Sequence, residues 1–175
     1  MSTKCCKSGV TKNNKVIGIG SDHAGLRLKE EIKLYLESKK IQFEDVGCFD
    51  ENRVDYPDIA FDVALGVQKG RFYCGILCCG TGIGMAMAAN KIQGVRAAPC
   101  SESTSAMLSR QHNDANILAL GGRIVGPVLA TEIVKAWLAA TFEGGRHIAR
   151  LKKIETIEKI EQGCQGRKKS AGKTR

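Results

Sequence analysis

The sequence predicts an α/β fold: a five-stranded parallel sheet with helices on both faces. Three observations carry this. A short apolar run bounded by glycines occurs at residues 75–78, and residues 15–20 read as another strand, as expected of strands buried in a sheet. Stretches of helical period or rich in Ala and Met follow them, with charged residues between the apolar positions. The strand–helix alternation then repeats to the end of the chain, and that spacing calls for right-handed crossovers and a parallel sheet.

Residues 15–20 form the first strand, and Ser21-Asp22-His23-Ala24-Gly25 is its exit loop. A helix follows over residues 26–38, with Leu26, Ile32 and Leu36 on its apolar face. Residues 41–46 make the second strand, succeeded by a polar loop through Gly47 and residues 50–53. Asp55-Tyr56-Pro57-Asp58 opens the next helix, with Pro57 near its first turn and Ile59, Val63 and Val67 on one face. Asp55 reads as its cap; Tyr56 reads as part of that cap or as a ring that closes over a ligand.

The third strand, residues 75–78, leads into Cys79-Gly80-Thr81-Gly82-Ile83-Gly84 and a helix that runs to about residue 92. Residues 94–98 are the fourth strand. The helix after it starts over residues 101–104 and runs through Arg110; Ser101 to Thr104 lacks the acid of a full capping box. Residues 116–120 are the fifth strand, ending in Gly121-Gly122-Arg123. An apolar helix covers residues 128–141, Gly144-Gly145 breaks it, and a charged helix runs from about residue 147 to 161. Ligands of such sheets bind beyond the carboxyl ends of the strands, near a topological switch point. Asp22, His23, residues 79–84 and Arg123 should therefore converge.

The chain has 175 residues and a net charge of +9, a length that suits one domain with its own core. The charge is carried by the ends. Lys4, Lys7, Lys12 and Lys15 at one end and Arg167, Lys168, Lys169, Lys173 and Arg175 at the other leave residues 16–162 neutral. The reading is one domain over residues 15–162 between basic, disordered tails at 1–14 and 163–175. Neutrality of the domain argues against a nucleic-acid surface on the fold. The eight cysteines form no CxxC pair, and several lie in or near strands, so a reduced, cytoplasmic protein is expected rather than a disulfide scaffold or zinc site. No apolar run has the length of a membrane span.

Chemistry concentrates after the third strand. A glycine turn between a buried strand and a helix aims backbone N–H groups outward, and Cys79 stands at its mouth. The stretch reads either as a nucleophile or base beside an oxyanion cradle or as a tight turn with a structural cysteine. It is neither a Walker loop nor a dinucleotide fingerprint, because the Lys-Ser/Thr is missing and Met85 stands where the third glycine belongs. His23, His112 and His147, the only histidines, all fall in loops or at helix ends beside polar residues, where imidazole can pass protons in both directions. Metal ligation is disfavoured, since Asp, Glu and Cys partners at ligand spacing are missing. Arg146 and Arg150 are four apart at a helix start, so both can project from one face as a phosphate clamp, with Arg123 as a third cation.

Ser21-Asp22-His23-Ala24-Gly25, Asp55-Tyr56-Pro57, Cys79-Gly80-Thr81-Gly82-Ile83-Gly84, Ser109-Arg110-Gln111-His112-Asn113 and Gly144-Gly145-Arg146-His147 with Arg150 together resemble type B ribose-5-phosphate isomerases, over roughly residues 15–161. The resemblance implies a Rossmann-like three-layer α/β/α sandwich, a homodimer with active sites at the subunit interface, a phosphorylated sugar as substrate, no metal or other cofactor, and a place in the pentose phosphate pathway. It casts Cys79 as the base that moves a proton between C1 and C2. Thr81 and the amides of Gly80, Gly82, Ile83 and Gly84 would stabilise the enediolate, and His112 would open the ring, a role His147 could also take. Asp22, His23 and Asn113 would contact sugar hydroxyls, Tyr56 would line the pocket, and Arg123, Arg146 and Arg150 would hold phosphate. Six-carbon sugar phosphates (allose or galactose 6-phosphate) are the nearest alternative, followed by a non-catalytic phosphosugar-binding module and by redox sensing at Cys78-Cys79.

Overall fold

The computed structural model describes residues 15–171, and side chains as far as residue 160. Five strands, β1 (Ile17–Ser21), β2 (Phe43–Gly47), β3 (Cys74–Cys79), β4 (Ala97–Pro99) and β5 (Ile117–Gly121), form one sheet in the order β2-β1-β3-β5-β4. Every pairing is parallel. The helices are α1 (Leu26–Ser38), α2 (Tyr56–Gln68), α3 (Ile83–Ala89), α4 (Ser103–Asn113), α5 (Pro127–Ala139) and α6 (Arg146–Ala171). The three-layer, Rossmann-like α/β/α arrangement is the one expected.

The period of two along each strand divides the core. On one face Ile19, Ile76, Cys78, Leu118 and Leu120 pack against Ile32 and Leu36 of α1, Ala106 of α4, and Ile133 and Trp137 of α5. On the other, Leu77, Cys79, Ile117 and Ala119 pack against Ala60 and Val63 of α2 and Met85 and Ala89 of α3. Cys78 and Cys79 thus point to opposite faces. Cys78 is fully buried, and burial drives its thiol well above the usual range, so it serves as the small hydrophobe its position requires.

Several element ends differ from expectation for local reasons. The third helix stops at Ala89 because Asn90 turns its side chain to the sheet, accepting from Ala97 N–H at 2.7 Å and donating to Ala97 C=O at 2.9 Å. The fourth strand shortens because the side chain of Asn116 takes the Arg96 N–H. The helix is capped one residue later than read: Glu102 is the N-cap, and its carboxylate accepts the N–H groups of Thr104 and Ser105 at 2.6 and 2.5 Å. Those bonds hold that carboxyl below its ordinary range. Asp55 sits at the N-cap of α2 without a side-chain cap bond; its carbonyl accepts Asp58 N–H instead. The last helix continues to Ala171. Residues 1–14 and 172–175, parts of the two expected tails, lie outside the described residues. Among the described residues no helix is long and apolar enough to cross a membrane.

Candidate active site

From β1 the chain crosses to β2 on one side, while β3 lies on the other. The switch point, and its crevice, therefore falls between the carboxyl ends of β1 and β3. Asp22 leaves the first of these strands and Cys79 ends the second. Cys79 is 4% exposed, and its Sγ accepts the N–H of Gly82 at 3.1 Å. Gly82 reaches that position through a left-handed φ of 78°, with a would-be Cβ only 3.0 Å from the backbone of Leu120. Thr81 Oγ1 accepts the N–H of Ile83 at 3.3 Å as α3 begins.

The flanking loops close on this turn. Asp22 N–H donates to Cys78 C=O at 3.1 Å, and its carboxylate accepts Gly25 N–H at 2.9 Å. A Cβ on Gly25 would stand 2.2 Å from Cys78 O, so only glycine lets the two loops meet. Gly122 N–H donates to Cys79 C=O and Arg123 N–H to Gly80 C=O, at 2.7 and 3.1 Å. The Arg123 guanidinium lies 3.6 Å from the Cβ position of Gly80. Tyr56 packs its ring directly on Gly84, within 2.8 Å of that Cβ position, and His23 Nδ1 accepts Val54 N–H at 3.5 Å. Asp22, His23, Tyr56, Arg123 and residues 79–84 are thus one assembly.

The other site candidates form a second cluster. Helix α4 starts beyond the carboxyl end of β4 and returns towards the amino ends of the strands. Asn113 at its close accepts from Arg96, just ahead of β4, through its carbonyl at 3.0 Å. There His112 and His147 stack, with ring centroids 4.4 Å apart and planes 8° from parallel. Glu143 reaches both rings, 3.8 Å from His112 Nε2 and 3.9 Å from His147 Nε2. Arg146 Nε donates to His147 Nε2 at 3.5 Å. Burial, followed by the charges of His112, Arg146 and Arg150, holds the His147 pKa below its ordinary value, while Glu143 opposes them. In the single chain this cluster and Cys79 belong to opposite ends of the sheet.

Glu143 is the residue that spacing did not single out. Its only signal was its place four residues before His147. With the two histidines it makes a set of three possible metal ligands within 4.8 Å of one another, although sequence spacing offered no such set. The donor geometry does not suit an ion: the rings are stacked rather than convergent, and His147 Nε2 already accepts from a cationic Arg146. The same geometry suits the holding and passing of a proton.

Residues 17–154 match the family model described as Ribose/Galactose Isomerase. The chain belongs to that family. It is an isomerase, 51% identical over 144 residues to ribose-5-phosphate isomerase B of Escherichia coli (82% of this chain, 97% of that protein). It is 44% identical over 149 residues to the D-erythrulose-4-phosphate isomerase of Pectobacterium atrosepticum (83% and 97%). Among solved structures, ribose-5-phosphate isomerase B of Clostridium thermocellum superposes with a TM-score of 0.82 at 51% identity (83% of this chain, 99% of that one). The Mycoplasma genitalium enzyme, solved with bound ribulose-5-phosphate, gives a TM-score of 0.79 at 46% identity (82% and 96%).

Proposed function

We infer that the chain interconverts ribose 5-phosphate and ribulose 5-phosphate, in an active site completed by a second copy. The observation that carries this is the division of the family's residues into two half-sites. Cys79, Thr81, Asp22 and His23 stand at one end of the sheet, and His112, Asn113, His147, Arg146 and Arg150 at the other. An isologous dimer brings the second cluster of one copy to the first cluster of its partner. The relatives named for ribose 5-phosphate and the ribulose-5-phosphate held by the Mycoplasma genitalium enzyme support the choice of sugar.

The chemistry follows from the residues. His112, whose side chain is 34% exposed, opens the hemiacetal by moving a proton between the anomeric hydroxyl and the ring oxygen. His147 lies buried behind it, kept neutral near pH 7 by burial and three neighbouring cationic or titratable groups. Cys79 as thiolate takes the C2 proton of the open aldose, and the electron pair forms the C1=C2 double bond as charge moves onto O1. The Cys79 thiol returns its proton to C1, the O2 proton passes to O1, and the C2 ketone forms. Gly82 N–H steadies the sulfur, and the Thr81 turn faces the developing enediolate. Asp22, His23 and Asn113 hold hydroxyls, Tyr56 lines the pocket, and Arg123, Arg146 and Arg150 hold phosphate.

The test is conversion of ribose 5-phosphate by the purified, reduced chain with chelator present, beside Cys79→Ala. Turnover that withstands chelator and collapses in the variant is the expected result. Turnover retained by Cys79→Ala removes the thiolate as base. No turnover by either protein contradicts the pentose assignment and directs the assay to erythrulose 4-phosphate and then to six-carbon sugar phosphates.

A further inference from the structure

Lys29 is fully buried, a rare state for a lysine without dedicated partners. It lies in the second turn of α1, and its backbone N–H bonds the carbonyl of Gly25 at 2.9 Å. Its Nζ donates to Asp45 Oδ1 at 2.8 Å, to Gly47 O at 3.3 Å and to Cys48 O at 2.6 Å. Three ammonium protons thus meet three acceptors. Asp45 Oδ1 also accepts Gly47 N–H, and the Phe49 ring covers the ammonium at 5.0 Å. Burying an ion pair is an ineffective way to gain stability, because desolvation offsets the attraction. Its return here is geometric: the carbonyl that ends β2 and the first carbonyl of the loop after it are fixed against the helix that begins where the β1 exit loop ends.

That loop then travels to the site. Val54 N–H meets His23 Nδ1 at 3.5 Å, and Tyr56 settles on Gly84. With Nδ1 accepting, the neutral ring carries its proton on Nε2, the N–H left for a ligand. We propose that Lys29 is a positioning residue of the isomerase site, setting the spacing between the loops after β1 and β2 and so the tautomer of His23 and the seat of Tyr56. The substrate consequence rests on the ribose 5-phosphate reading; the effect on His23 does not.

The experiment is Lys29→Met in the full-length chain with two readouts. Long-range proton–nitrogen NMR reports the His23 tautomer, and His23→Asn assigns its signals among the three histidines. Steady-state kinetics report KM and kcat for ribose 5-phosphate. The expected result is a single Nε2–H tautomer in the parent, a mixture in Lys29→Met, and a KM raised about tenfold while kcat changes far less. A folded Lys29→Met with the parent's histidine signals overturns the proposal, as does a tautomer change with KM unmoved. A lower melting temperature with both readouts unchanged makes Lys29 a structural residue only, which also overturns it. Should Lys29→Met not fold, Lys29→Gln, which keeps one donor for the Cys48 carbonyl, is judged by the same readouts. A chain without ribose 5-phosphate turnover defeats the substrate reading, and the NMR result alone then decides the role of Lys29.

Discussion

The N–H of Gly82 reaches the sulfur of Cys79 across 3.1 Å, and only a left-handed residue closes that distance. Gly82 has a φ of 78° and backbone atoms of Ala119 and Leu120 at 3.0–3.1 Å from its Cβ position. Gly70 has a similar φ of 74° but nothing within 4 Å. Gly82→Ala therefore adds a backbone collision to the conformational cost, about 2–4 kcal/mol together, whereas Gly70→Ala bears about 1 kcal/mol. Denaturant midpoints of the two variants should separate accordingly, and only Gly82→Ala should lose activity.

The cysteine at the end of β3 and its neighbour should behave in opposite ways. Cys79→Ala lowers kcat by about 10²–10⁴-fold with little change in melting temperature. Cys78→Ala, buried on the opposite face, lowers the melting temperature and leaves kcat near the parent's value. Circular-dichroism melts beside initial rates check both.

Alkylation adds an independent view of the same thiols. Burial pushes Cys74 to about 12 and Cys100 to about 11, and drives Cys78 up as well. These three stay protonated and unreactive. Peptide mapping after iodoacetamide at about pH 8 should find them unmodified in the native chain and modified after denaturation.

The histidine pair predicts a pH dependence with a definite sign. Because the folded His147 pKa lies below its ordinary value of 6.5, the unfolded chain binds that proton more readily. Stability then rises with pH across the window below about 6.5 and is lost as pH falls through it. Arg150→Ala removes one of the charges that depress this pKa, so the His147 NMR titration should move upward and the stability slope should flatten.

The fold was legible because the strand and helix periods coincide with real faces: residues 26–38 read as a helix and are one, with Ile32 and Leu36 buried. Strand ends were harder to read where side chains replace ladder bonds, as Asn90 and Asn116 do around β4. The carboxyl-end half-site followed from topology alone, since each of its loops leaves a strand. The second half-site did not, because Glu143 joins His112 and His147 through a stack between two helices that no spacing rule encodes. Lys29 was equally hidden: its partners lie in the next strand and the loop beyond it, and a lysine in an amphipathic helix ordinarily faces solvent.

The division into two half-sites is tested most directly by mixing. In a two-fold dimer with shared sites, Cys79→Ala and His112→Ala should each be inactive alone, and subunit exchange should give mixed dimers in which one site is intact and the other doubly altered. Native mass spectrometry confirms exchange, and ribose 5-phosphate turnover is then followed. Recovery to about a quarter of the parent activity is expected for random pairing in a two-fold dimer. Mixed dimers that form and recover no activity would show that Cys79 and His112 do not serve one shared site.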